Sequence, residues 1–212
     1  MKALLFDMDG TAVDTEPQHL KALRSLLRDY GADPDIAHFH EKVAGRTSYS
    51  VAQSFFPDAT PEDWRAFSVA KERRFRDIAD GLTPAPGLVR LLDAAARSGL
   101  RTALVTNSPV ENVDFVLGRA GLEGRFDTVV LAGDLPRPKP DPLAYLTALQ
   151  RLDIAAEDAL AFEDSLPGIT SATGAGVRVV GLTTSLSGAA LLQAGACRIM
   201  ADFTGFSLAN AA

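Results

Sequence analysis

Two acids one residue apart close a short apolar run at Leu4-Leu5-Phe6-Asp7-Met8-Asp9-Gly10-Thr11. In a strand, residues i and i+2 point to the same side. If the strand ends here, the Asp7 and Asp9 carboxylates leave it close together at its tip. Like charges that close repel unless a cation or a proton sits between them. A turn would also use Asp and Gly. A magnesium-dependent phosphoryl-transfer site would need the acids.

Three more strand ends carry groups that could join them. Thr106-Asn107-Ser108 follows an apolar run, Lys139 stands between Pro138 and Pro140, and Glu163-Asp164-Ser165 follows a third run. Each has a plain structural reading. Thr-Asn-Ser-Pro is a helix start, with Ser108 as N-cap and Pro109 in the first turn. Arg137-Pro138-Lys139-Pro140 could be a stiff surface loop. Glu163 and Asp164 could be acids that complement a helix dipole. Taken together, three or four carboxylates, one lysine and hydroxyl donors suit a magnesium-bound phosphoryl group.

The elements that must position these groups alternate. Strands are predicted at 3–8, 101–106, 127–131, 159–162 and 177–182, with a short one near 198–200. Helices are predicted at 87–98, from Ser108, at 141–151, at 166–175 and near 188–194. Such alternation implies parallel pairing and a sheet covered on both faces, an α/β fold with a Rossmann-like three-layer core. An all-helical block interrupts it. Leu20, Leu23, Leu26 and Leu27 share one face of a helix over 16–30, and 34–80 stays helical in pattern, broken at Pro57 and Pro61. Thr60-Pro61-Glu62-Asp63 reads as a helix start. The charged stretch Trp64 to Ile78 reads as a solvated helix face. Residues 1–14 and 83–212 would then form one core domain, with 15–82 inserted as a helical cap. In open parallel sheets ligands bind beyond the carboxyl ends of the strands, where all four groups would meet.

Bulk composition narrows the partners. The 212 residues are 47% hydrophobic and 23% charged, as in a soluble globular protein. Net charge is −6 and the pI is near 5.1, which argues against nucleic acid or an anionic membrane as main partner. Cys197 is the single cysteine, so no intrachain disulfide can form; a reducing cytosol and a buried, inert thiol are expected. The run 3–6 is cut by Asp7, unlike a signal peptide. No segment approaches the roughly eighteen apolar residues of a membrane span. The expected protein is cytoplasmic and monomeric.

Phe6-Asp7-Met8-Asp9-Gly10-Thr11, Val105-Thr106-Asn107-Ser108, Lys139-Pro140-Asp141-Pro142 and Phe162-Glu163-Asp164-Ser165 with Gly168-Ile169 occur in this order. Together they resemble the four motifs of the haloacid dehalogenase superfamily, in the branch with a helical cap after the first motif. The subgroup most similar is that of sugar-phosphate phosphatases and beta-phosphoglucomutases. One departure is Pro138, where many relatives carry Gly; it should stiffen the loop and leave Lys139 in reach.

The resemblance implies roles. Asp7 would be the nucleophile that forms an aspartyl-phosphate. Asp7, Asp164 and the backbone carbonyl of Asp9 would hold Mg²⁺, with Glu163 binding directly or through water. The Asp9 carboxyl would protonate the leaving alkoxide and then take a proton from water. Lys139 would balance the charge of phosphate and Asp7. The Thr106 hydroxyl and Asn107 backbone N–H would cradle the phosphate.

Specificity would lie in the cap. Arg46, in Gly45-Arg46-Thr47, could recognise a carboxylate, a hydroxyl cluster or a second phosphate, or could simply be a surface arginine. His19 reads as an exposed or satisfied histidine rather than a catalytic one. His38 and His40 have no metal-ligand company, and Lys71 and Arg74, on one helix face, are weaker candidates for substrate. Three functions stay open. A phosphatase of a small phosphorylated metabolite, a sugar phosphate or similar phosphomonoester, leads. A phosphomutase is the alternative; Thr11, where similar mutases tend to carry Val, and the Gly45-Arg46-Thr47 loop lean away from it, while His19 leans towards it. A non-catalytic binding module is the third. Dehalogenation and phosphonate cleavage fit Asp9 poorly.

Overall fold

Six strands pair in parallel in the order β3-β2-β1-β4-β5-β6. They are β1 (Ala3–Phe6), β2 (Arg101–Thr106), β3 (Thr128–Leu131), β4 (Ala159–Glu163), β5 (Arg178–Leu182) and β6 (Arg198–Met200). The computed structural model describes residues 1–32 and 47–210. Its chain divides into two compact units, Met1–Asp14 with Leu82–Ala212, and Thr15–Gly81.

In the first unit, strand alternation splits the buried residues between two faces. Ala3 and Leu5 pair in register with Arg101 and Ala103 on one side and with Ala159 and Ala161 on the other. The small Ala3, Ala103, Ala159 and Ala161 let helices approach closely. Their face packs with Tyr145, Ala148 and Leu152 of α6 (Leu143–Leu152) and with Ile169 and Ala172 of α7 (Leu166–Gly174). The opposite face carries Phe6 and Phe162, stacked with centroids 5.0 Å apart, and both reach Phe203. Each fully buried Phe contributes about 2 kcal/mol of hydrophobic stabilisation. Helix α4 (Leu88–Arg97) precedes β2, α5 (Val110–Ala120) follows it, and α8 (Gly188–Gln193) follows β5. The parallel three-layer architecture is the one the alternation predicts.

The second unit is helical: α1 (Glu16–Asp29), α2 (Ser48–Phe55) and α3 (Pro61–Ile78). Leu23, Leu26 and Leu27 meet Val51, Ala52 and Phe67 in a small core of its own. Thr60 caps α3 reciprocally with Asp63, as its motif predicts. Lys71 corrects the reading of α3 as solvated along its charged stretch. It is only 8% exposed, and its ammonium pairs with Glu72 at 3.1 Å and with His19 Nδ1 at 2.6 Å. His19 in turn stacks on Phe75. A charge count along the sequence misses this, because the long aliphatic stem can be buried while the charged tip finds partners. Arg74 pairs instead with Ser25 and Asp29. Gly45, Arg46, His38 and His40 lie outside the described residues.

Two local corrections belong to the first unit. Pro109, not Ser108, is the N-cap of α5. Cys197 is exposed rather than buried, because it enters β6 at the sheet edge, where Arg198 and Ile199 are also exposed. Among the described residues no helix is long and apolar enough to cross a membrane.

Candidate active site

The chain reverses its direction of strand placement at β1, with β2 and β3 on one side and β4 to β6 on the other. That switch point is where open α/β sheets leave a crevice beyond the strand ends. β1 ends at Phe6, and the Asp7 backbone N–H still bonds Phe162 O at 3.0 Å. Asp7 therefore continues the Ala3–Leu5 face, and Glu163 ends the Ala159–Ala161 face beside it. Period-two alternation thus aims both acids to the side covered by α6.

Lys139 meets them there. Its Nζ donates to Asp7 Oδ1 at 2.7 Å, to Glu163 Oε1 at 2.6 Å and to Val105 O at 2.7 Å. The side chain is 3% exposed, and Glu163 is fully buried. The loop carrying Lys139 is held by the Asn107 carboxamide. Its Oδ1 accepts from Lys139 N at 3.2 Å, and its Nδ2 donates to Lys139 O at 3.3 Å. Arg137 and Asp141 pair across the same loop at 2.6 Å. The structure thus brings Lys139 to Asp7 and gives the Asn107 side chain a task that sequence reasoning did not assign it.

Asp164, one residue past β4, accepts hydrogen bonds from Thr11 Oγ1 at 3.3 Å and from Ser185 Oγ. Gly10 makes room for it. Its φ of +74° suits glycine, and a Cβ there would stand 2.2 Å from Asp164 Oδ2. Thr184 Oγ1 donates to Gly10 O at 2.5 Å, tying the loop after β5 to the loop after β1. Gly168 does the same service for Glu163, whose carboxylate would lie about 2 Å from a Cβ at that position.

Asp9 turns another way. Its Oδ2 accepts from Ser108 Oγ at 2.5 Å. This is why Ser108 does not cap α5: its hydroxyl is used across the sheet end. The Ser108 backbone N–H bonds Thr106 Oγ1 at 3.0 Å, and an oxygen that accepts can still donate its own hydrogen. Thr106 is buried and Asn107 exposed at the mouth.

Charge is unbalanced in this cluster. Burial pushes the Asp7 carboxyl well above its ordinary value; the Lys139 ammonium opposes that rise, while Glu163, Asp164 and Asp9 add to it. Burial and the Glu163 charge push Asp164 up to about 7, against the hydrogen bond from Ser185. Burial works against the Lys139 charge, yet Asp7 and Glu163 overcome it and hold the ammonium above the usual lysine range. One buried cation faces three carboxylates, and the excess is negative.

A divalent cation would answer that excess. Asp7, Glu163 and Asp164 each offer a carboxylate oxygen, and these atoms lie within 4.8 Å of one another. An all-oxygen, acidic donor set of this size fits Mg²⁺, which takes one or two carboxylates and completes its shell with water and substrate oxygens. The Asp9 carboxylate is not one of the three.

Sequence reasoning did not reach Tyr145, Thr184 or Ser185. Tyr145 is fully buried, and its hydroxyl lies 2.6 Å from Glu163 Oε1. A lone phenol among Ala144, Ala148 and Leu149 was a signal, since a buried O–H needs a partner. For Thr184 and Ser185 the signal was position: they follow the fifth strand at the same sheet end as the four motifs.

A Rossmann-like parallel sheet with a buried acid cluster and a lysine at its switch point defines an α/β protein with a candidate metal-assisted active site at that edge. Residues 1–176 match the haloacid dehalogenase-like hydrolase family, and the chain belongs to that family. It is 32% identical over 207 residues to a phosphorylated carbohydrates phosphatase of Thermotoga maritima, covering 94% of each chain. It is 33% identical to the fructose-1-phosphate phosphatase YqaB of Escherichia coli, covering 84% of this chain and 94% of that protein. A crystal structure of a mutant CbbY from Rhodobacter sphaeroides in complex with xylulose-(1,5)bisphosphate superposes with a TM-score of 0.82. The identity there is 28%, with 99% of this chain and 98% of that chain covered.

Proposed function

We propose that this chain is a Mg²⁺-dependent phosphatase of a small phosphorylated metabolite, a sugar phosphate by preference, acting through an aspartyl-phosphate on Asp7. The observation that carries the reading is the Asp7 carboxylate beside Lys139 Nζ and within one oxygen cluster with Glu163 and Asp164. Asp7, Asp164, the Asp9 backbone carbonyl and Glu163, directly or through water, would hold the ion. Bound there, Mg²⁺ would neutralise phosphate charge and polarise the phosphoryl oxygens.

The chain's own groups do the rest. Asp7 attacks phosphorus and the ester oxygen leaves, so the P–O bond to the sugar breaks as the P–O bond to Asp7 forms. Asp9, its carboxyl aimed by Ser108, gives the leaving alkoxide a proton. It then takes one from the water that cleaves the aspartyl-phosphate. Lys139 opposes the rise that burial imposes on the Asp7 carboxyl and offsets the charge of the incoming phosphate. Thr106 Oγ1 and the Asn107 backbone N–H receive phosphate oxygens. Phosphoryl transfer asks mainly for such positioning and charge neutralisation.

Residues 15–82 serve as a cap that sets specificity, with Arg46 as a substrate contact. The enzyme acts in the cytoplasm as a monomer on a free metabolite, in keeping with its net charge of −6, which disfavours nucleic acid and anionic membranes. The sequence relatives named above are phosphatases of phosphorylated carbohydrates, which supports hydrolysis over the mutase alternative. The test is phosphate release from a broad panel of phosphorylated metabolites, with and without Mg²⁺, beside Asp7→Asn. Mg²⁺-dependent release lost in the variant is expected. No release from the wild type on any ester would overturn the reading, and hexose-phosphate isomerisation would then be assayed.

A further inference from the structure

Tyr145 is a buried hydroxyl with no part in the chemistry above. It projects from the first turn of α6 towards the acid face of the sheet and is fully buried. Its phenol oxygen lies 2.6 Å from Glu163 Oε1. Lys139 Nζ donates to that same oxygen at 2.6 Å, and the ammonium stands 5.2 Å from the centre of the tyrosine ring. Phenylalanine would fill nearly the same space. Burying a hydroxyl carries a cost that a ring alone does not, and the hydrogen bond to Glu163 is what offsets it.

The two donors divide the Glu163 carboxylate. Oε1 accepts from both Lys139 and Tyr145, whereas Oε2, among the described residues, accepts a long 3.3 Å bond from Ser165 Oγ. A carboxylate pinned at one oxygen by an ammonium alone can still swing towards that ammonium's other partner, Asp7. A second donor from a rigid helix fixes its plane.

We propose that Tyr145 is a positioning residue for the metal site: together with Lys139 it locks the Glu163 carboxylate through Oε1 and so holds it in the oxygen cluster with Asp7 and Asp164. This inference rests on the reading that Asp7, Glu163 and Asp164 hold that cation. Partners that orient a ligating carboxylate commonly tune metal affinity by 10–100-fold.

The experiment titrates the metal-free full-length protein with Mn²⁺, read by electron paramagnetic resonance of the free ion. Wild type, Tyr145→Phe, Glu163→Gln, the double variant and Asp164→Asn are compared. Tyr145→Phe is expected to weaken Mn²⁺ binding about tenfold. The Mg²⁺ concentration for half-maximal phosphate release should rise in parallel, with KM at saturating Mg²⁺ and the melting temperature close to wild type. In the Glu163→Gln background, Tyr145→Phe should add nothing, because its effect runs through Glu163. Wild-type affinity in Tyr145→Phe, or an additive loss in the double variant, overturns the inference. If Asp164→Asn loses affinity while Tyr145→Phe does not, the metal site stands and only the role of Tyr145 falls. If neither changes binding, both readings fall.

Discussion

Ser108 Oγ donates to Asp9 Oδ2 across 2.5 Å, joining the loop after β1 to the loop after β2. The two residues are 99 apart in the chain, and the bond aims the carboxyl proposed to move protons to and from the ester oxygen. A hydrogen bond to a charged acceptor is worth about 1.5–3 kcal/mol. Ser108→Ala should therefore lower kcat about tenfold or more while changing KM less than threefold, since the bond serves the proton rather than phosphate binding. Steady-state kinetics check this; a KM effect with unchanged kcat would assign Ser108 to substrate binding instead.

Among the described residues, Lys139 is the cation bonded to both Asp7 and Glu163. Removing one partner of a buried ion pair typically costs about 3–5 kcal/mol, because the remaining charge stays buried. Lys139→Met should destabilise the metal-free protein by about that much in urea unfolding, and added Mg²⁺ should restore part of the loss by mass action. Unchanged stability would mean that the acids take up protons at no cost.

Gly10 and Gly31 separate backbone strain from crowding. Both have positive φ, +74° and +76°, but a Cβ at Gly31 meets open space, whereas one at Gly10 strikes Asp164. Gly31→Ala should cost about 1 kcal/mol and leave activity intact. Gly10→Ala should cut kcat roughly 100-fold, the scale of effect expected when a reacting group is displaced by about an ångström. Equal behaviour of the two variants would remove the close approach as the reason for Gly10.

The charge excess makes stability depend on pH. The Asp164 carboxyl titrates near 7 in the folded, metal-free protein and near 3.8 when unfolded. Between those values the native state binds the extra proton, so its stability falls as pH rises through the window. The metal-free protein should melt higher at pH 5 than at pH 8, and Asp164→Asn should shrink that difference, the raised Asp7 carboxyl supplying the remainder. Mg²⁺, which competes with protons for the carboxylate, should raise the melting temperature more at pH 8 than at pH 5. Calorimetry at both pH values, with and without Mg²⁺, checks the sign.

Much of this molecule was legible as one-dimensional pattern. Apolar runs of strand length alternating with amphipathic stretches determined a parallel α/β core, because both faces of such a sheet must be covered. The endings of three of those runs, at Asp7, Thr106 and Glu163-Asp164, and the loop after a fourth, which carries Lys139, marked the candidate site, because parallel strands deliver all their carboxyl ends to one edge. Tertiary structure alone decided which groups touch. Hydroxyls carry no charge and show no periodicity, so nothing in the chain paired Ser108 with Asp9, Ser185 with Asp164 or Tyr145 with Glu163. Lys71 was hidden likewise: burial depends on what packs over a helix face, and His19, 52 residues away, supplies that partner.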